Sequence, residues 1–201
     1  MAESAGGLTV QKIPSTASTT GPPSLEDKEI LEALGRDDRC AATTLCARHH
    51  GAAIGRLCMA LLGSQAEADD LTQETLMVAH DAFDSYRAEG SLKAWLFGIA
   101  RRRCARHLER SSHRQAKLRL VFPHETGAEA EELLERRRRA EHARKALEEL
   151  RPSDREALLL RYLGELSYRD LGVACAIEET AARQRVSRAL ARLREVLKTE
   201  G

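Results

Sequence analysis

Apolar positions recur with helical spacing between residues 69 and 82. The stripe repeats at i, i+4, i+7 and i+11, as on one face of an α-helix, and consists of Leu71, Thr75, Val78 and Ala82. The opposite face is acidic and polar, with Asp70, Gln73, Glu74, Met77 and Asp81. We therefore predict an amphipathic helix that turns an acidic face to solvent.

A second helical pattern begins at Ser91, a residue type that caps helix N-termini. Its inner face is apolar and consists of Leu92, Trp95, Leu96, Ile99, Ala100 and Leu108. Because Trp95 lies between Leu92 and Ile99, we expect it to pack in the core rather than to offer a stacking platform. Its far end is basic, with Arg101, Arg102, Arg103 and Arg106. An acidic helix followed by a basic one suggests two different partners.

Two further helices are predicted upstream. A short amphipathic helix starts at Leu25 and is followed by the polar residues 35–38. A longer helix runs from about residue 39 to 62, and Gly63 and Ser64 end it. Together with the two patterns above, these helices predict an all-α domain of about four helices over residues 25–110, in which the apolar stripes bury one another.

Residues 140–198 predict a second helical domain. An apolar stripe ends at Leu150, before Arg151 and Pro152. Capping-box patterns that begin at Ser153 and Ser167 open the next two helices. After a break at residues 175–177, a basic helix runs to about residue 198, and its inward face consists of Ala182, Val186, Ala189 and Leu193. A short helix, a tight turn and a longer basic helix form the layout of a helix-turn-helix.

Two segments lack this periodicity. Residues 1–24 are rich in Ala, Ser, Thr, Gly and Pro, which is typical of a disordered leader. Residues 111–139 contain Pro123, an acidic stretch and four consecutive arginines, and we interpret them as a linker between the two domains that becomes helical toward its end. A solvated tether fits this composition equally well.

Composition narrows the class of protein. The chain has 201 residues, 42% hydrophobic and 3% aromatic, enough for one or two small globular units. It has no apolar run of transmembrane length and no N-terminal signal pattern, so we expect a cytoplasmic protein without membrane insertion.

Charge is segregated along the chain: residues 25–100 carry a net charge of −6 and residues 101–122 carry a net charge of +7. This suits contact with a basic protein surface and with nucleic acid, although solvated helix faces explain it equally well.

The five cysteines are scattered without C-x-x-C spacing, so we expect small buried hydrophobes in a reducing compartment. Four possible metal ligands lie near one another in sequence: Cys46, His49, His50 and Cys58. A structural zinc site needs four convergent ligands, and we expect instead core cysteines, surface histidines and no metal. The sequence also lacks a nucleophile–base pair and a phosphate-cradling glycine loop, so we expect neither enzyme activity nor a cofactor.

The first domain resembles a known family. The runs DDLTQET (69–75), DSYRAEGS (84–91) and AWLFGIARR (94–102) are similar in order and spacing to conserved region two of bacterial RNA polymerase sigma factors, above all the small extracytoplasmic-function (ECF) group. Family members commonly read D-L-x-Q-E-x-F, F-R-G and T-W-L-x-x-I-A-R-N. This chain has Tyr86-Arg87-Ala88 in place of F-R-G, Ala94 before the tryptophan and Arg102 in place of asparagine.

The second domain is similar to region four of the same family. LSYRDLG (166–172) matches L-S-Y-x-E-I-A, and Arg183-Gln184-Arg185 takes the place of K-S-R. Ala176 stands where the turn usually has glycine, and Glu178-Glu179 begin the recognition helix where proline and an apolar residue are common. Acids there suit the helix dipole but repel nearby phosphates.

The resemblance implies an ECF-type sigma factor that binds core RNA polymerase, recognises the -35 and -10 promoter elements and promotes DNA melting. Its docking surface for the clamp helices of the polymerase beta-prime subunit would be Asp69, Asp70, Gln73 and Glu74, with charge complementarity setting orientation. The beta subunit flap, promoter DNA and an anti-sigma factor are further implied partners.

The implied DNA contacts form two groups. The -10 group combines a loop that captures a flipped base with a basic helix end, and comprises Tyr86, Arg87, Glu89, Ser91, Arg101, Arg102, Arg103 and Arg106. The -35 group lies on the recognition helix, where arginine suits guanine and glutamine suits adenine, and comprises Arg183, Gln184, Arg185, Ser187 and Arg188.

Three other hypotheses remain open at this point. A helix-turn-helix regulator that acts without polymerase docking would bind specific duplex DNA on its own and would give the acidic face no role. An interaction protein or anti-sigma-like module would tolerate the loss of Arg183 and Arg185. An enzyme built on the cysteine and histidine cluster would carry a metal.

Overall fold

The computed structural model describes residues 24–111 and 143–199, and every regular element in these two ranges is helical, which confirms the all-α prediction. The first range contains α1 (Leu25–Gly35), α2 (Arg39–Leu62), α3 (Gln65–Ala82), a 3-10 turn (Phe83–Ser85) and α4 (Leu92–Ser111). The second contains α5, described over 143–148, then α6 (Pro152–Leu158) with a π turn (Leu159–Leu163), α7 (Tyr168–Cys175) and α8 (Glu179–Thr199).

The predicted leader and linker lie outside the described residues, except for Ser24 and Ser111 at their edges. Where the chain is described, none of its helices combines the length and apolarity needed to cross a membrane.

Polar side chains begin the first three helices. Ser24, Asp38 and Ser64 each accept a hydrogen bond from a backbone N–H in the first turn of the helix that follows. Gly63 ends α2 in the left-handed conformation with φ 73°, which glycine adopts without steric cost. The helix boundaries predicted from the polar breaks are therefore set by identifiable caps.

α3 packs against α2 and α4 through a narrow stripe of mostly small side chains, namely Ala68, Leu71, Thr75 and Ala79. Val78 and Ala82, which were predicted on this stripe, are only half-buried. Because successive residues turn by about 100° around an α-helix, the stripe is centred on the side of Ala68 and Ala79, and Val78 falls at its edge. The buried hydroxyl of Thr75 donates to the carbonyl oxygen of Leu71 at 2.6 Å, so it is satisfied inside the core.

Of the two predicted capping boxes, the one at Ser167 provides an N-cap. Ser167 begins α7, and its Oγ accepts the N–H of Asp170 at 3.0 Å. The prediction for Ser153 is wrong, because α6 begins at Pro152 and has Arg151 at its N-cap without a side-chain hydrogen bond. Proline has a fixed φ and no N–H, and both properties suit the first helical position, so the helix starts one residue earlier.

α7, the turn after it and α8 have the layout of a helix-turn-helix. Ala182, Val186 and Ala189 on the inner face of α8 are buried, as predicted, and Leu193 is half-buried. Ala176 in the turn adopts the left-handed conformation, with φ 56° and ψ 48°. This conformation costs a residue with a Cβ about 1–2 kcal/mol, so the backbone of the turn is strained at Ala176.

The two ranges share one apolar core, because α4 packs along α7. Glycines allow the close approach. A Cβ at Gly98 would lie 3.2 Å from the carbonyl oxygen of Ala174, and a Cβ at Gly164 would lie 2.5 Å from the ring of Phe97. Side chains at these two positions would collide with the opposite surface, so the sequence permits the contact only through its glycines.

The cysteines divide between core and surface. Cys46, Cys58 and Cys104 are buried, and the Sγ atoms of Cys58 and Cys104 lie 3.6 Å apart. Cys175 is partly buried. Cys40 is exposed in the first turn of α2, so the expectation of a buried cysteine is wrong there.

Candidate functional site

The predicted docking residues lie together on α3, and all four are exposed: Asp69, Asp70, Gln73 and Glu74. Met77, one turn further along the helix, is 67% exposed and adds an apolar side chain beside the charges. Asp69 accepts a hydrogen bond from Gln65 at 2.8 Å, and Glu74 pairs with Arg103 at 2.8 Å. The result is an acidic surface with one large apolar side chain, which fits a basic protein partner.

An aromatic cluster anchors the loop between residues 86 and 91. The hydroxyl of Tyr86 donates to the carbonyl oxygen of Gly90 at 3.0 Å and closes the loop. The Tyr86 ring lies 5.7 Å from the Trp95 ring, which in turn stacks on Phe83 at 5.8 Å, so Trp95 packs against the core as expected. Burial raises the pKa of Tyr86 to about 12, and the hydroxyl therefore remains a hydrogen-bond donor at neutral pH.

A buried carboxylate that sequence analysis missed supports the loop. Asp27 of α1 is 3% exposed, and its Oδ2 accepts the N–H of Leu92 at the start of α4 at 3.3 Å. Its Oδ1 lies 3.3 Å from Nε2 of His50, which is also 3% exposed. The expectation of a surface histidine is therefore wrong for His50, whose ring is buried in the core beside the Asp27 carboxyl group. The available signal was the spacing of Asp27 with Ile30 and Leu34, which places the acid on the apolar face of α1.

α7 covers the other side of the same loop. Oδ1 of Asp170 accepts the N–H of Ser91 at 2.8 Å, and Arg169 donates to the carbonyl oxygen of Glu89 at 3.1 Å. A Cβ at Gly90 would lie 2.9 Å both from Oδ1 of Asp170 and from Cγ2 of Val173. The backbone groups at the end of the loop are thus bound by side chains of the helix-turn-helix.

The basic end of α4 is split between exposed side chains and side chains that contact other helices. Arg102 and Arg106 are exposed. Arg101 donates to Glu156 of α6 at 3.0 Å and to a backbone carbonyl of α7 at 3.3 Å. Arg103 turns toward α3, where it forms the ion pair described above. The predicted -10 residues therefore do not form a single exposed surface in this structure.

The predicted -35 residues lie on α8, and most of them face solvent. Those that are exposed are Arg183, Gln184, Ser187 and Arg188, whereas Arg185 is half-buried. The guanidinium of Arg183 lies 4.5 Å from the centre of the Tyr168 ring and donates to Glu179 at 3.0 Å. Glu179 is therefore paired with an arginine of the same helix, which offsets its repulsion of phosphates.

Two family models match these regions of the chain. The model described as Sigma-70 region 2 matches residues 46–114, which include α3, the loop and α4. The model described as Sigma-70, region 4 matches residues 141–193, which include α7 and most of α8. Together they cover more than half of the sequence, and α1 with its buried Asp27 lies outside both.

Two relatives that align with most of this chain are named as RNA polymerase sigma factors. The chain is 35% identical over 137 residues to the probable RNA polymerase sigma-C factor of Mycobacterium bovis. This alignment covers 65% of this chain and 70% of that protein. The chain is 34% identical over 148 residues to the ECF RNA polymerase sigma factor EcfG of Rhodopseudomonas palustris. This alignment covers 71% of this chain and 78% of that protein.

Two solved structures have a similar fold. The sigma factor RpoE, crystallised with the anti-sigma factor NepR from Bartonella quintana, is 29% identical with a TM-score of 0.57, over 77% of this chain and 96% of that one. CnrH, solved in complex with the cytosolic domain of CnrY, has a TM-score of 0.61 over 88% of this chain and 99% of that one. At 21% identity, the second likeness concerns the fold alone.

Proposed function

Because this chain belongs to the ECF group of sigma-70 RNA polymerase sigma factors, we propose that it uses the docking, -10 and -35 residues described above to direct core RNA polymerase to promoters. It binds the polymerase, recognises the -35 and -10 elements and promotes opening of the duplex. The observation that supports different partners for α3 and α8 is the separation of charge: exposed acids lie on α3 and exposed arginines on α8. Bond formation in RNA stays with the polymerase, and we assign no catalytic residue to this chain.

The exposed acids of α3 dock on the clamp helices of the beta-prime subunit in this proposal. Asp70 and Glu74 lie one turn apart on the same face, and Met77 extends that face by another turn. Complementary charge sets the orientation and the rate of encounter, whereas a large apolar side chain near the centre of a contact contributes more of the affinity. We assign these two roles to the carboxylates and to Met77 respectively.

The loop at residues 86–91 and the basic end of α4 bind the non-template strand of the -10 element. Extruding a base costs a few kcal/mol, which stacking and hydrogen bonds in a protein pocket recover. Exposed Arg87 in the loop and exposed Arg102 and Arg106 on α4 supply charge for the strand. The anchoring of Tyr86 to Gly90 supports a loop that is preformed rather than ordered by DNA.

The exposed arginines and Gln184 of α8 read the -35 element in the major groove, where arginine bonds guanine and glutamine bonds adenine. We place the beta subunit flap against the same domain. We further propose an anti-sigma partner for this chain, because the similar RpoE structure is a complex with an anti-sigma factor.

Gel filtration with core RNA polymerase tests the docking surface. We expect the wild-type protein to co-elute and the Asp70→Arg/Glu74→Arg variant to elute separately, because the charge of the docking face is reversed. The Glu32→Arg/Glu149→Arg variant is a matched control: it makes the same change in net charge at exposed sites on α1 and after α5.

Co-elution of the control but not of the α3 variant would support docking through α3. Equal retention of both variants would move the docking site away from α3. If the wild-type protein itself does not co-elute, the proposed polymerase function is wrong, and a helix-turn-helix regulator that works alone becomes the better hypothesis.

A further inference from the structure

We infer that Tyr168 is a positioning residue for the -35 element, and that its ring holds the guanidinium of Arg183 in an orientation that binds guanine. This inference rests on the proposed function and deepens it, because it names the base that one arginine of α8 recognises and the side chain that orients this arginine. Tyr168 lies outside the -35 group named from the sequence, on the helix that precedes the recognition helix.

Tyr168 is the first residue of α7, and two guanidinium groups lie over its ring. The guanidinium carbon of Arg183 is 4.5 Å from the ring centre, and that of Arg161 is 4.9 Å from it. A cation over an aromatic face is attracted by the negative charge of the π system, and arginine can also stack its plane on the ring. The ring therefore gives Arg183 a contact surface that belongs to a different helix.

The ring of Tyr168 is itself held in place. It is partly buried and packs against the apolar core. Arg161, in the π turn after α6, donates to the carbonyl oxygen of Leu166 at 2.7 Å, so this partner of the ring is bound to the backbone. Because a tyrosine side chain also has few rotatable bonds, it gives Arg183 a rigid support.

Glu179 restricts Arg183 from a second direction. It lies one turn earlier on α8 and accepts a hydrogen bond from Nη2 of Arg183 at 3.0 Å. The side chain of Arg183 nevertheless remains 61% exposed. A guanidinium carries five N–H donors, so the bond to Glu179 leaves donors for a base.

The base that suits a guanidinium held in this way is guanine. Guanine presents two acceptors side by side in the major groove, O6 and N7, and a planar guanidinium binds both at once. A side chain that is already oriented loses less rotamer freedom when it binds. The contacts with Tyr168 and Glu179 restrict the guanidinium plane of Arg183 in the free protein, so they favour this bidentate contact over a loose contact with phosphate.

Holoenzyme assembled from the full chain and core RNA polymerase tests the role of Tyr168. A promoter is first mapped by transcription in vitro. The dissociation constant is then measured by fluorescence anisotropy for promoter fragments that each carry one base-pair substitution in the -35 element. The Arg183→Ala variant identifies the base pair that Arg183 reads, because substitution of that pair should no longer weaken binding. We expect this pair to contain guanine.

The Tyr168→Leu variant removes the ring but keeps an apolar side chain. We expect the penalty for substituting the Arg183 base pair to shrink by about two- to fivefold, which corresponds to a cation–π contact at an exposed site, and the other penalties to stay unchanged. Tyr168→Phe keeps the ring and should restore discrimination. Tyr162→Leu is the matched control: it makes the same change at an exposed tyrosine of the same domain and should retain full discrimination.

The Glu179→Gln variant gives an independent test. Glutamine is a good helix former and keeps a hydrogen-bonding group, so we expect this variant to fold as the wild type does. Loss of a negative charge near the DNA backbone should strengthen binding to every fragment. The hydrogen bond from Arg183 to an uncharged acceptor is weaker, so discrimination at the guanine pair should fall. A loss of stability would not produce these opposite changes.

A loss of discrimination confined to the Arg183 base pair in Tyr168→Leu, with recovery in Tyr168→Phe, would support the inference. Equal weakening on all fragments would overturn it, and so would an Arg183→Ala variant that keeps every penalty. Tighter binding by Tyr168→Leu would also overturn it, because the ring would then withhold Arg183 from DNA. A uniform loss in Tyr168→Phe would assign the hydroxyl to a phosphate contact and would contradict the positioning role.

Gel filtration separates these outcomes from a failure of the proposed function. If the wild-type chain forms no holoenzyme, the proposed function is wrong, and the inference falls with it. If the holoenzyme forms and selects the mapped promoter while Tyr168→Leu discriminates as the wild type does, only the positioning role is wrong.

Discussion

Replacing Asp27 tests whether a buried carboxylate holds the 86–91 loop in place. The Asp27→Ala substitution removes the acceptor for the N–H of Leu92, 3.3 Å away, and the partner of His50, also at 3.3 Å. Both partners are buried in the core, so water does not replace the lost contacts without rearrangement. We expect α4 to lose the anchor of its first turn and the loop before it to become more mobile.

The magnitude follows from these two contacts. A hydrogen bond to a charged group contributes about 1.5–3 kcal/mol, and leaving a buried polar group without a partner costs about 1–3 kcal/mol. Since the two losses overlap, we expect the free energy of unfolding to fall by about 2–4 kcal/mol in total. Trp95 is the only tryptophan and stacks on Phe83 beside the loop, so its fluorescence during urea unfolding reports on this domain.

The exposed Asp70 provides the control, because Asp70→Ala removes the same charge at the surface and should change stability by no more than about 0.5 kcal/mol. His50→Ala completes a double-mutant cycle with Asp27→Ala, and we expect a coupling energy of at least about 1 kcal/mol. A loss below about 1 kcal/mol for Asp27→Ala, or independent effects of the two changes, would refute the view that this pair anchors the loop.

Three further predictions concern backbone strain, a tyrosine and the thiols. Ala176→Gly should raise stability by about 0.5–1 kcal/mol, because relief of the left-handed strain exceeds the extra entropy of glycine in the unfolded chain; a thermal melt without an increase would contradict this. The raised pKa of Tyr86 means that the folded state holds this proton more tightly than the unfolded chain. Stability should therefore be complete below pH 10 and fall as the pH rises toward about 12, as followed by tyrosinate absorbance and urea unfolding. Ellman's reagent should modify exposed Cys40 rapidly, whereas Cys46, whose pKa burial raises to about 12, should react only on unfolding; rapid loss of both thiols would disagree with the packing.

Most of the fold could be predicted because the helices are periodic and end at clear breaks. The buried positions on α8 follow the predicted spacing, and α2 ends at Gly63 in the left-handed conformation expected of a glycine cap. Small residues weaken this signal on α3, where Ala79 and not Val78 lies in the core. Hydrophobicity ranks valine above alanine, but the rotation of the helix decides which of the two is buried.

The candidate site residues could be placed on helices from the sequence, but their arrangement relative to one another could not be predicted. Exposure of the acids on α3 follows from helical periodicity, since the apolar stripe must face inward. The bond between Asp170 and Ser91 joins residues 79 positions apart, and no local pattern encodes such a pair. The buried pair of Asp27 and His50 was missed for a similar reason: aspartate and histidine are seldom fully buried, and the two residues lie on different helices.

The distance in sequence between α4 and α7 also has a consequence during synthesis. A ribosome adds about 5–20 residues per second, so the nearly 80 residues between Ser91 and Asp170 take roughly 4–16 s to emerge. Folding of the first domain within that time would leave Phe97 and Gly98 without the surface that later covers them. Each new chain would then pass through an interval in which the 86–91 loop and α4 are exposed, before the helix-turn-helix that packs on them has been made.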